Sequence, residues 1–165
     1  MAKKPVINIS DLKYFDFGDG GKFEAKLGPV SPRIGADQLG YNVTLVKPGK
    51  RAFPCHLHHT NEEMFFILEG EGTLRYNDQE YPIKKGDFIA CPAGPGTARQ
   101  IINTSKADLK YLALATTQGP EVAEYPDSNK VMVHCGPPPM SGEEPHLRLM
   151  VKKGKNLDYF EGESD

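Results

Sequence analysis

Two histidines and a glutamate stand at a spacing suited to holding a divalent cation. In the stretch Gly49-Lys50-Arg51-Ala52-Phe53-Pro54-Cys55-His56-Leu57-His58-His59-Thr60-Asn61-Glu62-Glu63, His56 and His58 are two residues apart. On an extended strand their imidazoles therefore leave the same face. Glu63 opens the next apolar run and can return to that face. Two imidazoles and a carboxylate on one face form a facial set for a divalent metal, with coordination positions left open. His-x-His alone is a weak signal. Four residues to Glu63 and six more to Gly70 strengthen it, because spacing and strand context agree. On a regular strand His59 and Cys55 face away from this set.

The elements that must position these groups read as strands. From Leu39 to Thr117, β-rich runs are punctuated by turn signals at Pro48-Gly49, Gly70-Glu71-Gly72, Asn77-Asp78, Lys85-Gly86-Asp87 and Pro92-Ala93-Gly94. The runs are Tyr41 to Lys47, Glu63 to Glu69, Thr73 to Tyr76, Glu80 to Ile83, Phe88 to Cys91, Arg99 to Asn103 and Leu109 to Thr117. Turn signals this regular, without a helical period between them, predict an all-β sandwich or barrel. In Glu63–Leu68, period-2 geometry puts Glu63, Phe65 and Ile67 on one side and Met64, Phe66 and Leu68 on the other. Both sides are apolar, so both are expected to be buried. A small barrel has one interior, so the second face calls for another sheet, the arms, or a second subunit.

The flanks differ in texture. Residues 1–38 hold a possible helical turn at Ser10–Phe15, after which glycines and prolines from Gly18 to Gly35 are expected to break any regular element. This region reads as an N-terminal arm packed on the barrel of residues 39–117. Residues 118–165 form a C-terminal extension that includes Pro137-Pro138-Pro139. Val131–His134 and His146–Val151 are expected there as edge strands. The acidic end, Glu161–Asp165, is expected to fray.

Composition closes off other roles. The chain has 165 residues, one domain's worth, and 17 glycines with 14 prolines argue against a helical bundle. Twenty Lys+Arg against 22 Asp+Glu give a net charge of −2, with no basic field for nucleic acid or an anionic membrane surface. No signal-peptide core or membrane-length apolar run is present. Cys55, Cys91 and Cys135 are odd in number and widely spaced, which fits reduced thiols in the cytoplasm. No Gly-x-Ser-x-Gly, P-loop, Cys-x-x-Cys or Gly-x-Gly-x-x-Gly motif occurs.

Residues 39–117 resemble the cupin family. The family's first motif is matched by Gly49, His56, His58, Glu63 and Gly70, and the opening of its second by Gly86, Pro92 and Gly94. The resemblance implies a double-stranded β-helix, the cupin jelly-roll barrel, one divalent metal (Fe, Mn, Ni or Zn) at His56, His58 and Glu63, and a homodimer. Glu62 is an alternative carboxylate by spacing, but the six residues to Gly70 select Glu63. Asn61–Gly72 looks like small single-domain members that carry sugar-phosphate-isomerase-like names.

The second motif departs from the family. Its histidine falls on Thr97 counting forward from Gly94, and on Arg99 counting back from Asn103. The turn at Asn103-Thr104-Ser105 favours Arg99, and arginine has no lone pair for a cation. Arg99 then either points into the cavity as a clamp for an anionic substrate, or pairs with Glu63 where relatives hold a metal. Phe53, Phe65 and Ile101 would line the cavity, with polar tips from Tyr41 and Tyr76. Glu62 is the candidate general base. His134 and His146 lie outside the resemblance.

The expected function is a metal-binding cupin acting on a small anionic metabolite, a sugar phosphate or an organic acid, as an isomerase-like enzyme. The alternatives are a facial-triad dioxygenase and a non-catalytic module that binds or senses a small ligand.

Overall fold

The computed structural model describes residues 3–139 and 141–163. Its strands are β1 (Phe15–Gly18), β2 (Glu24–Pro29), β3 (Leu39–Val46), β4 (Leu57–His58) and β5 (Glu63–Glu69). There follow β6 (Glu71–Tyr76), β7 (Gln79–Lys84), β8 (Phe88–Cys91), β9 (Arg99–Ile102) and β10 (Leu109–Thr116). The extension adds β11 (Glu121–Tyr125), β12 (Lys130–Cys135) and β13 (Leu147–Lys152). One short helix, α1 (Ser31–Ile34), precedes β3. No helix among the described residues is long and apolar enough to cross a membrane.

The strands form three antiparallel sheets: β1-β2-β3-β10-β5-β8, then β13-β12-β11-β4, then β7-β6-β9. Alternation sets the faces. Phe65 and Ile67 of β5, Tyr111 and Ala113 of β10 and Val46 of β3 turn inward. There they meet Leu74, Ile83 and Ile101 from the three-stranded sheet. Burying side chains of this size contributes about 1.5–3 kcal/mol each. The chain passes from β5 in one sheet to β6 in another through Gly70, whose φ is +82° and where a Cβ would lie 2.3 Å from the Asp108 carbonyl oxygen.

Within one chain the second face of β5 is half-covered, Met64 being 40% exposed and Phe88 beside Phe66 71% exposed, which leaves the second subunit as the cover expected for it. Two expectations need correction. The glycine- and proline-rich stretch before residue 38 does not exclude regular structure, since β1 and β2 complete the six-stranded sheet. Gly28 sits within β2 because the Tyr14 ring lies where its side chain would be, 2.9 Å from an added Cβ. In the extension, β13 is an edge strand, but β12 is interior, paired with β11 and β13. Ser164 and Asp165 of the acidic end lie outside the described residues.

Candidate metal centre

Local pairing brings the His-x-His segment and Glu63 together. Glu63 begins β5 and is flanked by Cys91 of β8 and Ala115 of β10. His58 sits in the two-residue strand β4, opposite Ala123 of β11. His56 lies just outside β4 and is fixed instead by a bridge to Arg99. His56 N donates to the Arg99 carbonyl at 3.2 Å and Arg99 N to the His56 carbonyl at 2.9 Å. One ligand atom from each of His56, His58 and Glu63 falls within 4.8 Å of the others.

The orientation of the rings is specific. His56 Nδ1 is 2.8 Å from the Pro54 carbonyl oxygen, which accepts a hydrogen bond from the Nδ1–H and so leaves Nε2 with its lone pair. That Nε2 stands 3.8 Å from Glu63 Oε2. His58 Nε2 stands 3.7 Å from Glu63 Oε1, and its Nδ1 lies 3.5 Å from Glu121 Oε2. Both Nε2 atoms thus converge on the Glu63 carboxylate. The rings meet edge-on, 5.1 Å apart at 85°.

Arg99 takes the paired position of its two expected placements. It is 1% exposed. Its Nε donates to Glu63 Oε2 at 3.0 Å, its Nη2 donates to the same oxygen, and Nη1 reaches the His56 carbonyl at 3.3 Å. Glu63 Oε1 is left facing His58.

The titration behaviour follows. Burial lowers the His56 pKa to about 4, against the pull of the Glu63 charge. Burial also lowers His58, but the Glu121 and Glu63 carboxylates outweigh it and its pKa is raised. Glu63 is raised by burial but falls well below the carboxylate range, through His58 and the Arg99 charge. Glu121, despite burial, drops to about 2 through His58, Asn61 and the Thr60 N–H. With both imidazoles neutral, two carboxylates face one guanidinium. The surplus is one negative charge, which a proton on His58 or a bound cation would balance.

The donor set fits a divalent metal. Ligands about 2.1 Å from an ion lie roughly 3–4 Å apart, the range spanned here by the Nε2 and carboxylate atoms. Arg99 occupies the slot a fourth nitrogen ligand would need, so this chain offers three donors.

The other expected residues divide. Phe53 is half-buried with its ring 6.3 Å from His56, beside the cluster. Phe65 and Ile101 are buried members of the core, Phe65 edge-on to Tyr111 at 5.8 Å. Tyr76 packs half-buried against that core, and Tyr41 is half-buried on β3. Glu62 is exposed and outside the cluster, its backbone N–H donating to Thr116 Oγ1 at 3.1 Å. His59 turns away, with Nε2 2.9 Å from Glu124 Oε1. His134 Nε2 is 2.7 Å from the Pro137 carbonyl, and His146 is exposed. Cys55 packs with Leu57 and Ala98, and Cys91 joins the main core.

Two residues of the site come from β11, which the sequence reading left out. Glu121 lies behind His58. Tyr125 stacks on His56, with centroids 5.9 Å apart at 27°. No motif or polar–apolar alternation in Glu121-Val122-Ala123-Glu124-Tyr125 marks them in the sequence.

Comparison with known proteins follows the same outline. The family model described as a cupin domain matches residues 42–115. An uncharacterised protein of Methanocaldococcus jannaschii is 40% identical over 57 residues, which are 34% of this chain and 44% of that protein. The chain therefore spans less than half of that relative. An oxalate-binding protein of Thermotoga maritima is 39% identical over 96 residues, 58% of this chain and 78% of the relative. The crystal structure of a protein from Acidithiobacillus ferrooxidans, provisionally titled a sugar phosphate isomerase, superposes with a TM-score of 0.77. It is 25% identical, and the match covers 94% of this chain and 97% of that one.

Proposed function

The chain belongs to the cupin family, and from that premise we propose that it holds one divalent metal ion at His56, His58 and Glu63 and acts on a small anionic metabolite. The observation that carries this reading is the convergence of two Nε2 atoms on one carboxylate, with a Pro54 oxygen and a Glu121 oxygen behind the rings. When bound, the ion would supply Lewis-acid polarisation of a ligand oxygen, the chemistry an isomerase-like reaction on a sugar phosphate needs.

The protein's own groups do the rest. Arg99 holds Glu63 ionised and oriented, so that Oε1 faces His58 while Oε2 lies between Arg99 and His56. Its buried guanidinium also adds positive potential to the cavity, which favours an anionic ligand. Tyr125 and Phe53 flank the His56 ring and reduce its exposure to water. Lys130, with Nζ 5.5 Å from the Tyr125 ring centroid, is the candidate partner for a carboxylate or phosphate. The anionic class agrees with what relatives are named for, oxalate in one and sugar phosphate in another.

A second reading is a non-catalytic binding module. It is favoured by Glu62, the expected general base, lying exposed and away from the cluster. The dioxygenase alternative shares the same three donors. One experiment separates these readings. Metal-supplemented protein is screened with sugar phosphates and short dicarboxylates for both melting temperature and product. A melting shift with turnover, both reduced by Lys130→Ala, supports the enzyme. A shift without product supports the module.

The reading includes a homodimer and a cytoplasmic location. The half-covered face bearing Met64, Phe66 and Phe88 supports the first, since a monomer leaves it in water. The three free cysteines support the second.

A further inference from the structure

Glu121 is a carboxylate placed where carboxylates are costly. Its residue is 6% exposed, and burial of an ionised group is tolerated only with partners. The partners all come from the turn between His58 and Glu63. Oε1 accepts the backbone N–H groups of His59 and Thr60, each at 3.2 Å. Oε2 accepts the Asn61 N–H at 2.9 Å and the Asn61 side-chain amide. Asn61 ties the same turn to the end of β10, its Oδ1 accepting from Thr116 Oγ1 at 2.9 Å and from Gln118 N at 2.7 Å. A single side chain from the extension thus fixes the loop that sets the separation of His58 and Glu63.

It also backs His58 itself. Oε2 lies 3.5 Å from His58 Nδ1, at the long limit of a hydrogen bond, and that buried nitrogen has no hydrogen-bond partner of its own. Among the described residues, that carboxylate is the acceptor set against it. The opposite nitrogen, Nε2, is the atom that faces Glu63.

We propose that Glu121 is the positioning residue for His58: its Oε2 accepts a hydrogen bond from the Nδ1–H of the neutral ring and so presents the Nε2 lone pair to the metal site. The inference rests on the metal reading for its purpose, but its geometry stands apart from it. A histidine ligand generally needs an acceptor on its other nitrogen to fix tautomer and ring orientation. Here that acceptor lies in β11, beyond residues 42–115 that match the family model. The extension is then part of the site and not an appendage to it.

The test uses the full chain with uniform nitrogen-15 labelling, freed of metal and held at a pH where both imidazoles are neutral. Long-range proton–nitrogen correlation spectra read the His58 tautomer directly. The proposal expects Nδ1 protonated and Nε2 bare in the unaltered protein. In Glu121→Gln it expects a mixture of tautomers and cobalt(II) affinity weakened by about 10–100-fold, with cooperative melting retained. A role confined to holding the turn would move the melting temperature alone. An Nε2-protonated His58 in the unaltered protein would overturn the proposal whether or not the variant folds. So would a folded Glu121→Gln with unchanged tautomer and affinity. If the unaltered protein binds no cobalt yet shows the Nδ1 tautomer, lost in Glu121→Gln, the metal reading fails and the positioning role stands.

Discussion

Arg99 and Glu63 form a buried ion pair in which both guanidinium contacts fall on one carboxylate oxygen, Oε2. The other oxygen is turned to His58. Arg99 stands where the family motif expects a histidine ligand, and in place of that nitrogen it brings a cation that orients Glu63. Removing one partner of such a pair costs about 3–5 kcal/mol, because the other is left buried and unpaired.

Substituting that arginine probes the arrangement. Arg99→His restores a nitrogen donor and removes a fixed positive charge beside the cation site. Divalent-metal affinity should rise about tenfold or more, the effect of roughly 1.4 kcal/mol, while the metal-free variant melts lower. Competition titration against a chelator reads the affinity. An unchanged affinity in a folded variant would count against placing Arg99 in the site.

Stability of the metal-free protein should fall on acidification in two stages. His56 has its pKa lowered to about 4, so between about pH 6.5 and 4 the unfolded chain binds a proton that the folded one refuses. Stability is lost across that window. His58, with a raised pKa, works the other way, and its contribution is already complete below its unfolded value. Glu121, lowered to about 2, stabilises above its unfolded pKa, and that contribution drains between about pH 4.5 and 2. Its loss is on the order of 3 kcal/mol. Denaturant midpoints measured across pH should show both stages, and Glu121→Gln should flatten the lower one.

The outer face of β5 and β8 tests the oligomer. Phe66 and Phe88 stack with centroids 4.4 Å apart, yet Phe88 remains 71% exposed. Light scattering should give twice the chain mass for the unaltered protein and one chain mass for Phe88→Lys. A monomer before substitution would refute the dimer.

Much of this architecture was legible in the residues. Glu63–Glu69 and Phe88–Cys91 coincide with β5 and β8 because turn residues bound them on both sides. Asn103 marked its turn correctly: it is fully buried and its amide bonds to the carbonyls of Val46 and Ala107. What stayed hidden depended on contacts remote in the chain. Gly28 reads as a breaker, but it serves a strand because the Tyr14 ring crosses it. β4 is two residues long and exists through its partner β11. Glu121 looks like any surface glutamate until the fold places it behind His58. Spacing to Gly70 picked Glu63 as the ligand, but that Glu62, the expected general base, turns out to solvent follows only from the fold.

The central claim is that three side chains of this cupin hold one divalent ion. The most direct test is equilibrium titration of chelator-treated protein with cobalt(II), the bound fraction read by absorbance, beside the His56→Ala variant. The unaltered protein should bind one ion per chain, and a folded His56→Ala should retain none. No binding at all, or an ion that survives His56→Ala, would contradict that claim and leave the Arg99–Glu63 pair as the centre of a metal-free ligand pocket.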